Sequence, residues 1–252
     1  MPTSIKNKKK RLSLYSALSF AFLLLMSTNT QSQTVKKLES LVVTYKLSIQ
    51  SSSYGNATLG KFTNTLEKTD AGYTVTSVTK TQGLAAIIIG SNEQQSCDFS
   101  INSDGSSTPE RYAGGTLKKD KYHVNFNWDE KTISFENGES LDMPEGYILD
   151  ICSMPFALAL NQGKGLDQQP LYIVDGKKKR VRGYTLLSSQ EIEIETPLGN
   201  KETLELVLQR ELRPDRTLTL WLSIDDGYTP VKVEEKREHR TTTMMISELE
   251  ID

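Results

Sequence analysis

The two histidines, His123 and His239, are the first residues to weigh for acid–base or metal chemistry in this 252-residue chain. His123 alternates with Tyr122 and Val124, which places it on the wet face of a strand, and His239 sits between Glu238 and Arg240. Both read as surface residues without a chemical role. The chain has no nucleophile elbow, no His-Glu-x-x-His pattern and no phosphate-cradling loop. Gly163-Lys164-Gly165 is too short for such a loop and reads as a helix stop. Two histidines without a cluster of thiolates make no dedicated zinc site. Glu191, Glu193 and Glu195 share one strand face and could approach a cation, but that spacing more simply makes a solvated face that discourages edge pairing. Asp225-Asp226-Gly227 is a turn before it is a metal site. The reading is of a non-enzyme with no cofactor and no metal.

Three other groups have chemical content. Cys97 and Cys152 are the only cysteines. In an oxidising compartment such a pair suggests one disulfide. Closing a loop of about 56 residues would destabilise the unfolded chain by about 4 kcal/mol. The other reading is two buried thiols acting as small apolar residues. The basic run Lys177-Lys178-Lys179-Arg180-Val181-Arg182 could meet anionic head groups, at about 1 kcal/mol per exposed contact, or form a solvated hairpin end. The run Gly83 to Gly90 holds Ile87, Ile88 and Ile89 without alternation, so these side chains line a cavity or join the core.

The first residues carry an address. Lys6, Lys8, Lys9, Lys10 and Arg11 precede an uncharged stretch from Leu12 to Met26, and a polar segment of small residues follows. That is the layout of a secretory signal peptide, expected over residues 1–33 with cleavage near Thr30 to Gln33. An uncleaved anchor is the rival reading, but a spanning helix needs about 20 apolar residues, and Ser13, Ser16 and Ser19 interrupt this shorter stretch. No cysteine stands near the site for lipid attachment. The expectation is a soluble periplasmic protein that meets the membrane only through its signal peptide. Without the leader, about 25 basic residues face 32 acidic ones. A net charge near −7 argues against a nucleic-acid partner.

What must position these residues is a sheet. Period-two alternation runs through Leu41 to Ile49, Tyr122 to Trp128, Glu191 to Glu195 and Leu218 to Ile224. Asp-Ala-Gly at 70–72, Asp104-Gly105, Asn137-Gly138, Asp175-Gly176, Gly199-Asn200 and Asp226-Gly227 supply tight turns between them. Short connections imply antiparallel neighbours. Ser153 to Leu160 reads as a short helix capped by Ser153, entered through Pro155 and stopped by Gly163. Residues 34–252 are expected to form a single, mainly β domain. Its large, curved antiparallel sheet or incomplete barrel carries one or two short helices against the concave face.

Several short segments, taken in order, resemble the bacterial domain of unknown function 3108 family. They are Tyr45-Lys46-Leu47-Ser48, Tyr73-Thr74-Val75, Gly83-Leu84-Ala85-Ala86, Phe126-Asn127-Trp128, Leu220-Trp221-Leu222-Ser223-Ile224-Asp225 and Thr229-Pro230-Val231-Lys232. The resemblance runs from about Leu41 to Ile251 and implies export, no established activity, and a half-barrel like those of periplasmic lipoprotein carriers. The functional expectation is a binder of a lipid or other hydrophobic ligand, lined by Ile87, Ile88, Ile89, Phe156 and Leu160. The alternative is a scaffold that contacts another envelope protein through a sheet edge or the basic hairpin.

Overall fold

Paired side chains run as rows across a curved sheet, and these rows decide what the sheet can enclose. The computed structural model describes residues 38–53, 55–81, 92–116 and 121–251, all within the unit Val35–Asp252. The predicted signal peptide and Ile87, Ile88 and Ile89 lie outside the described residues. In chain order the strands are β1 (Ser40–Ser51), β2 (Gly55–Lys68), β3 (Tyr73–Thr81), β4 (Glu93–Ile101), β5 (Ser107–Thr116), β6 (Tyr122–Asn127), β7 (Thr132–Phe135), β8 (Ser140–Asp142) and β9 (Tyr147–Asp150). Helix α1 (Met154–Leu160) follows, then β10 (Leu171–Asp175) and a 3₁₀ turn (Gly176–Lys178). The last strands are β11 (Arg180–Thr196), β12 (Gly199–Arg210), β13 (Thr217–Ser223), β14 (Thr229–Arg237) and β15 (Arg240–Ile251).

All fifteen belong to one sheet, in the order β8-β7-β6-β5-β4-β3-β2-β1-β15-β14-β13-β12-β11-β10-β9. Every pairing is antiparallel except β9–β10, which is parallel. That exception follows from the connection: α1 crosses between these two strands, and parallel neighbours need such a crossover. The first and last strands pair along almost their whole length, from Leu41 opposite Ile251 to Ser51 opposite Arg240.

One concave row is apolar from end to end. Leu41, Leu66, Val75, Cys97, Tyr112, Val124 and Phe135 stand successively opposite one another across β1 to β7, and all are buried. Two residues along, the row through Val43, Asn64, Ser77, Gln95 and Gly114 is largely polar. The interior therefore grades from apolar to polar along the strand direction.

The sheet rolls up without closing, because its edge strands β8 and β9 do not hydrogen-bond to each other. Instead β9 and the 3₁₀ turn pack against β5 and β6. Gly176 makes this approach possible: a Cβ there would lie 2.6 Å from Val124 Cγ2 and 3.1 Å from the Tyr112 and Tyr122 rings. A disulfide joins Cys97 on β4 to Cys152 just after β9, with Cα atoms 6.1 Å apart. It fastens one flank of the roll to the other. Asp175-Gly176 opens the hairpin between β10 and β11, where Asp175 pairs with Arg180, but through the 3₁₀ turn rather than a tight Asp-Gly turn. Asp175 accepts a hydrogen bond from Lys178 N at 3.2 Å, and the chain reverses at Lys179, whose φ is 47°.

Helix α1 fills the apolar part of the roll. Phe156, Ala157 and Leu158 are fully buried, and burying Phe156 and Leu158 stabilises by about 1.5–3 kcal/mol each. Its cap differs from the expected one. Ser153 already has helical dihedrals and makes no side-chain cap. Asp150 takes that role: Oδ1 accepts from Cys152 N and Ser153 N, each at 2.8 Å, and Oδ2 accepts from Ser153 Oγ at 2.5 Å. At the other end Gly163 stops the helix as its sequence predicts, donating to Leu158 O at 2.9 Å with φ of 66°.

Candidate functional site

Sheet curvature carries turns that are distant in sequence to one end of the roll. The β2–β3 turn, the end of β4, the β13–β14 turn and the last turn of α1 surround a cavity of about 640 Å³. Leu38, Tyr73, Ile101, Ala159, Leu160 and Tyr228 supply its apolar wall, and Thr69, Asp70, Asn102 and Gln162 contribute polar groups. Lys68, also at the rim, is paired with Glu39 at 2.8 Å. That ion pair raises the Lys68 pKa, first through its hydrogen bond to Glu39.

The wall is held from behind. Tyr73 stacks on Phe99 with ring centroids 5.6 Å apart. Tyr147 OH accepts from Asn161 Nδ2 at 2.9 Å and from Ser107 N at 3.1 Å, which ties the end of α1 to β5 and β9. Gly72 lets the β2–β3 turn sit close to β4, since a Cβ there would collide with the Phe99 carbonyl oxygen.

The expected lining residues are separated by this arrangement. Leu160 is half-buried and reaches the cavity, whereas Phe156 is fully buried in the core and does not line this cavity. The helical period explains the split: residues four apart share a helix face, but only the last turn of α1 extends to the opening. Tyr73, Ile101 and Tyr228 were not among the lining residues expected from the sequence. Their one legible signal is the Gly-Tyr step after a turn, at Gly72-Tyr73 and Gly227-Tyr228.

The ionisable groups lean toward structure rather than chemistry. Burial pushes the Asp150 carboxyl up to about 6, against the pull of its three hydrogen bonds. Burial also raises the phenols of Tyr45, Tyr112, Tyr122 and Tyr147. Asp150 lies beside Cys97 and Cys152, with one atom of each within 4.8 Å of the others. The disulfide occupies both sulfurs, so no thiolate is offered to a metal. His123 is exposed, and His239, also exposed, faces Glu238 at 3.3 Å. Glu191, Glu193 and Glu195 are exposed along β11. Among the described residues no helix is long and apolar enough to cross a membrane.

The family model described as a protein of unknown function, DUF3108, matches residues 43–246. No curated protein matches the chain. Among solved structures, a β-barrel-like protein of the domain of unknown function DUF1849 from Brucella abortus is similar, with a TM-score of 0.54 at 11% identity. The match covers 86% of this chain and 99% of that one. That likeness shows the fold. A putative outer membrane lipoprotein-sorting protein domain from Vibrio parahaemolyticus aligns with a TM-score of 0.32 at 9% identity, covering 85% of this chain and 86% of that one. A DUF1329 family protein from Desulfovibrio piger aligns with a TM-score of 0.33 at 12% identity, covering 86% and 88%. At such scores neither bears on what this chain does.

Proposed function

The chain belongs to the DUF3108 family of proteins of unknown function, and we propose that it is an exported, periplasmic, non-enzymatic protein that binds a lipid or other hydrophobic ligand at the mouth of its rolled sheet. The observation that carries this reading is the cavity beside the last turn of α1, with its wall of Leu38, Tyr73, Ile101, Leu160 and Tyr228. Its volume of about 640 Å³ lies in the range of small-molecule sites, which combine apolar walls with a few polar groups. The ligand would sit at the mouth rather than deeper in the roll, where α1 buries Phe156 and Leu158 among the core residues. A ligand would therefore insert its apolar part only as far as the helix end and leave a polar part among Thr69, Asp70 and Asn102.

The scaffold alternative draws less support, since four of the five cations in the basic run meet carboxylates within the molecule. Lys177 meets Glu93 at 3.1 Å, Lys179 meets Glu139 at 3.5 Å, and Arg180 and Arg182 face Asp175.

Native mass spectrometry on protein purified without detergent from the periplasmic fraction tests the reading. The expected spectrum contains a bound species of lipid mass, and Leu160→Arg, at a half-buried position, removes it while the circular dichroism stays unchanged. A ligand-free wild-type spectrum that stays ligand-free after incubation with envelope lipid extract would rule the proposal out.

A further inference from the structure

At the end of the roll opposite the mouth, the interior turns basic. β11 and β13 begin there, and β12 and β14 end there. The registers pair Tyr184 with Arg210, and Leu218 with Glu235. Two-residue steps from Tyr184, Leu218 and Glu235 place Arg180, Arg182, Arg216 and Arg237 on the same concave face as Arg210. Lys178 joins them from the 3₁₀ turn. The seven residues of β13 keep this group about 20 Å from the mouth, so it stands apart from the cavity there.

Charge and hydrogen bonding are both left incomplete in this group. Arg182 is only 8% exposed, and its Nη2 donates to Asp175 Oδ2 at 2.5 Å. Its Nε is buried with no hydrogen-bond acceptor, as are Nε of Arg180, Arg216 and Arg237, with Arg180 Nε 3.6 Å from Asp175 and Arg216 Nε 3.8 Å from Asp215 as looser ion pairs. Three carboxylates stand among the cations: Asp175, Asp215 at 3.8 Å from Arg216, and Glu235 at 2.6 Å from Arg237. Lys178 and Arg210 form no salt bridge among the described residues. Burial holds the Lys178 ammonium below its usual range; Asp175 opposes this, while Arg180, Arg182 and Arg237 add to it. Burial likewise lowers Arg210, with Arg182, Arg216 and Arg180 adding to the effect and Tyr184 opposing it.

We infer that this basic end binds a phosphoryl group, through six cations that face three carboxylates and four guanidinium groups that each keep a buried N–H without a hydrogen-bond acceptor. Guanidinium groups suit an anion with several oxygens, because each presents a fixed fork of donors. A phosphoryl group offers enough oxygens to serve several of these N–H groups together. It arrives on a soluble phosphate compound or on a phospholipid headgroup, and the concave placement selects a group that projects into the roll.

Pyrophosphate titration by calorimetry, with sedimentation on phosphatidylglycerol-containing vesicles, tests the site at low salt. Phosphatidylcholine vesicles serve as the neutral control. The expected result is pyrophosphate binding that falls at least tenfold in the Lys178→Gln/Arg210→Gln double variant. Lys61→Gln should leave it unchanged, since its pair with Glu248 is exposed elsewhere. Vesicle sedimentation that the double variant loses assigns the headgroup as the source; pyrophosphate binding without sedimentation assigns a soluble compound. Should the double variant not fold, Arg210→Gln alone makes the same comparison. Wild-type protein that binds neither probe, or binding that the folded variants retain in full, overturns the inference.

Discussion

Asp150 carries two opposed demands in one side chain. Its carboxylate holds the start of α1 through three hydrogen bonds, yet full burial pushes its pKa up to about 6. A folded-state pKa above the unfolded value means the native state holds the proton longer. Stability from this group is fully present below the unfolded value near 4 and is lost as pH rises through about 6. Each tenfold difference in proton affinity between the folded and unfolded chain is worth about 1.4 kcal/mol, so the loss amounts to about 2–3 kcal/mol. Thermal melts between pH 4 and 7 should therefore show wild type falling relative to Asp150→Asn, which keeps a capping oxygen without the titration. Parallel profiles for the two proteins would refute this. Asp150→Ala removes the cap altogether and should cost about 1–2 kcal/mol. This residue was hard to read in the sequence for a physical reason. Asp150 ends an apolar strand, Tyr147-Ile148-Leu149, and helical turns begin before the helix proper, so the serine next to Met154 looked like the cap. Arg180 and Arg182 were similarly masked: a basic run with one valine reads as a wet hairpin, and only the register reveals that the arginines point inward.

Among the elements, the seam between the β4–β6 flank and the β9–β10 flank is where the roll is held by side chains rather than by a ladder. The Cys97–Cys152 disulfide spans 55 residues, so its removal in Cys97→Ser/Cys152→Ser should cost about 4 kcal/mol in the chain-entropy description. Its position adds a local expectation. Amide exchange after reduction should accelerate first in β9 and β10, with β1 and β15 protected longest; uniform acceleration would mean the bond acts only on the unfolded chain. Gly176→Ala probes the same seam from the other side, because its Cβ would press on Val124, Tyr112 and Tyr122. Denaturant titration should register a loss of about 1–3 kcal/mol, the usual cost of overpacking. Individual strands and most of their turns were legible, since period-two alternation and Asn-Gly or Asp-Gly steps are local signals. The seam was not. It depends on how far a fifteen-stranded sheet curls, on the bulge between Leu186 and Ser188 in β11, and on a parallel pair formed across a helix. The mouth inherits the same difficulty, because Tyr73, Ile101, Leu160 and Tyr228 meet only after that curl.

At the scale of the whole molecule, the chain builds two successive sheet halves, β1 to β8 and β9 to β15, and among the described residues the β1–β15 ladder is the only strand pairing that joins them. Its partners lie about as far apart in sequence as the domain allows, from Leu41–Ile251 to Ser51–Arg240. Contacts of such separation close large loops and tend to form late and slowly. Tyr45 reports on that step, because its buried hydroxyl donates to the Pro230 carbonyl 185 residues away at 2.6 Å. In Tyr45→Phe the Pro230 oxygen keeps its burial and loses its donor, at a cost of about 1–3 kcal/mol. If the two halves dock after each has formed, the transition state lacks this bond, and the change falls on the unfolding arm of the chevron. That loss of about 1–3 kcal/mol then appears as unfolding about 5–150 times faster, with the refolding rate nearly unchanged. Stopped-flow denaturant jumps on the oxidised protein separate the two arms. Slower refolding of Tyr45→Phe, with unfolding unchanged, would place the first and last strands in the folding nucleus instead. The roll would then close before its halves are complete, with the disulfide seam assembling around a ladder already in place.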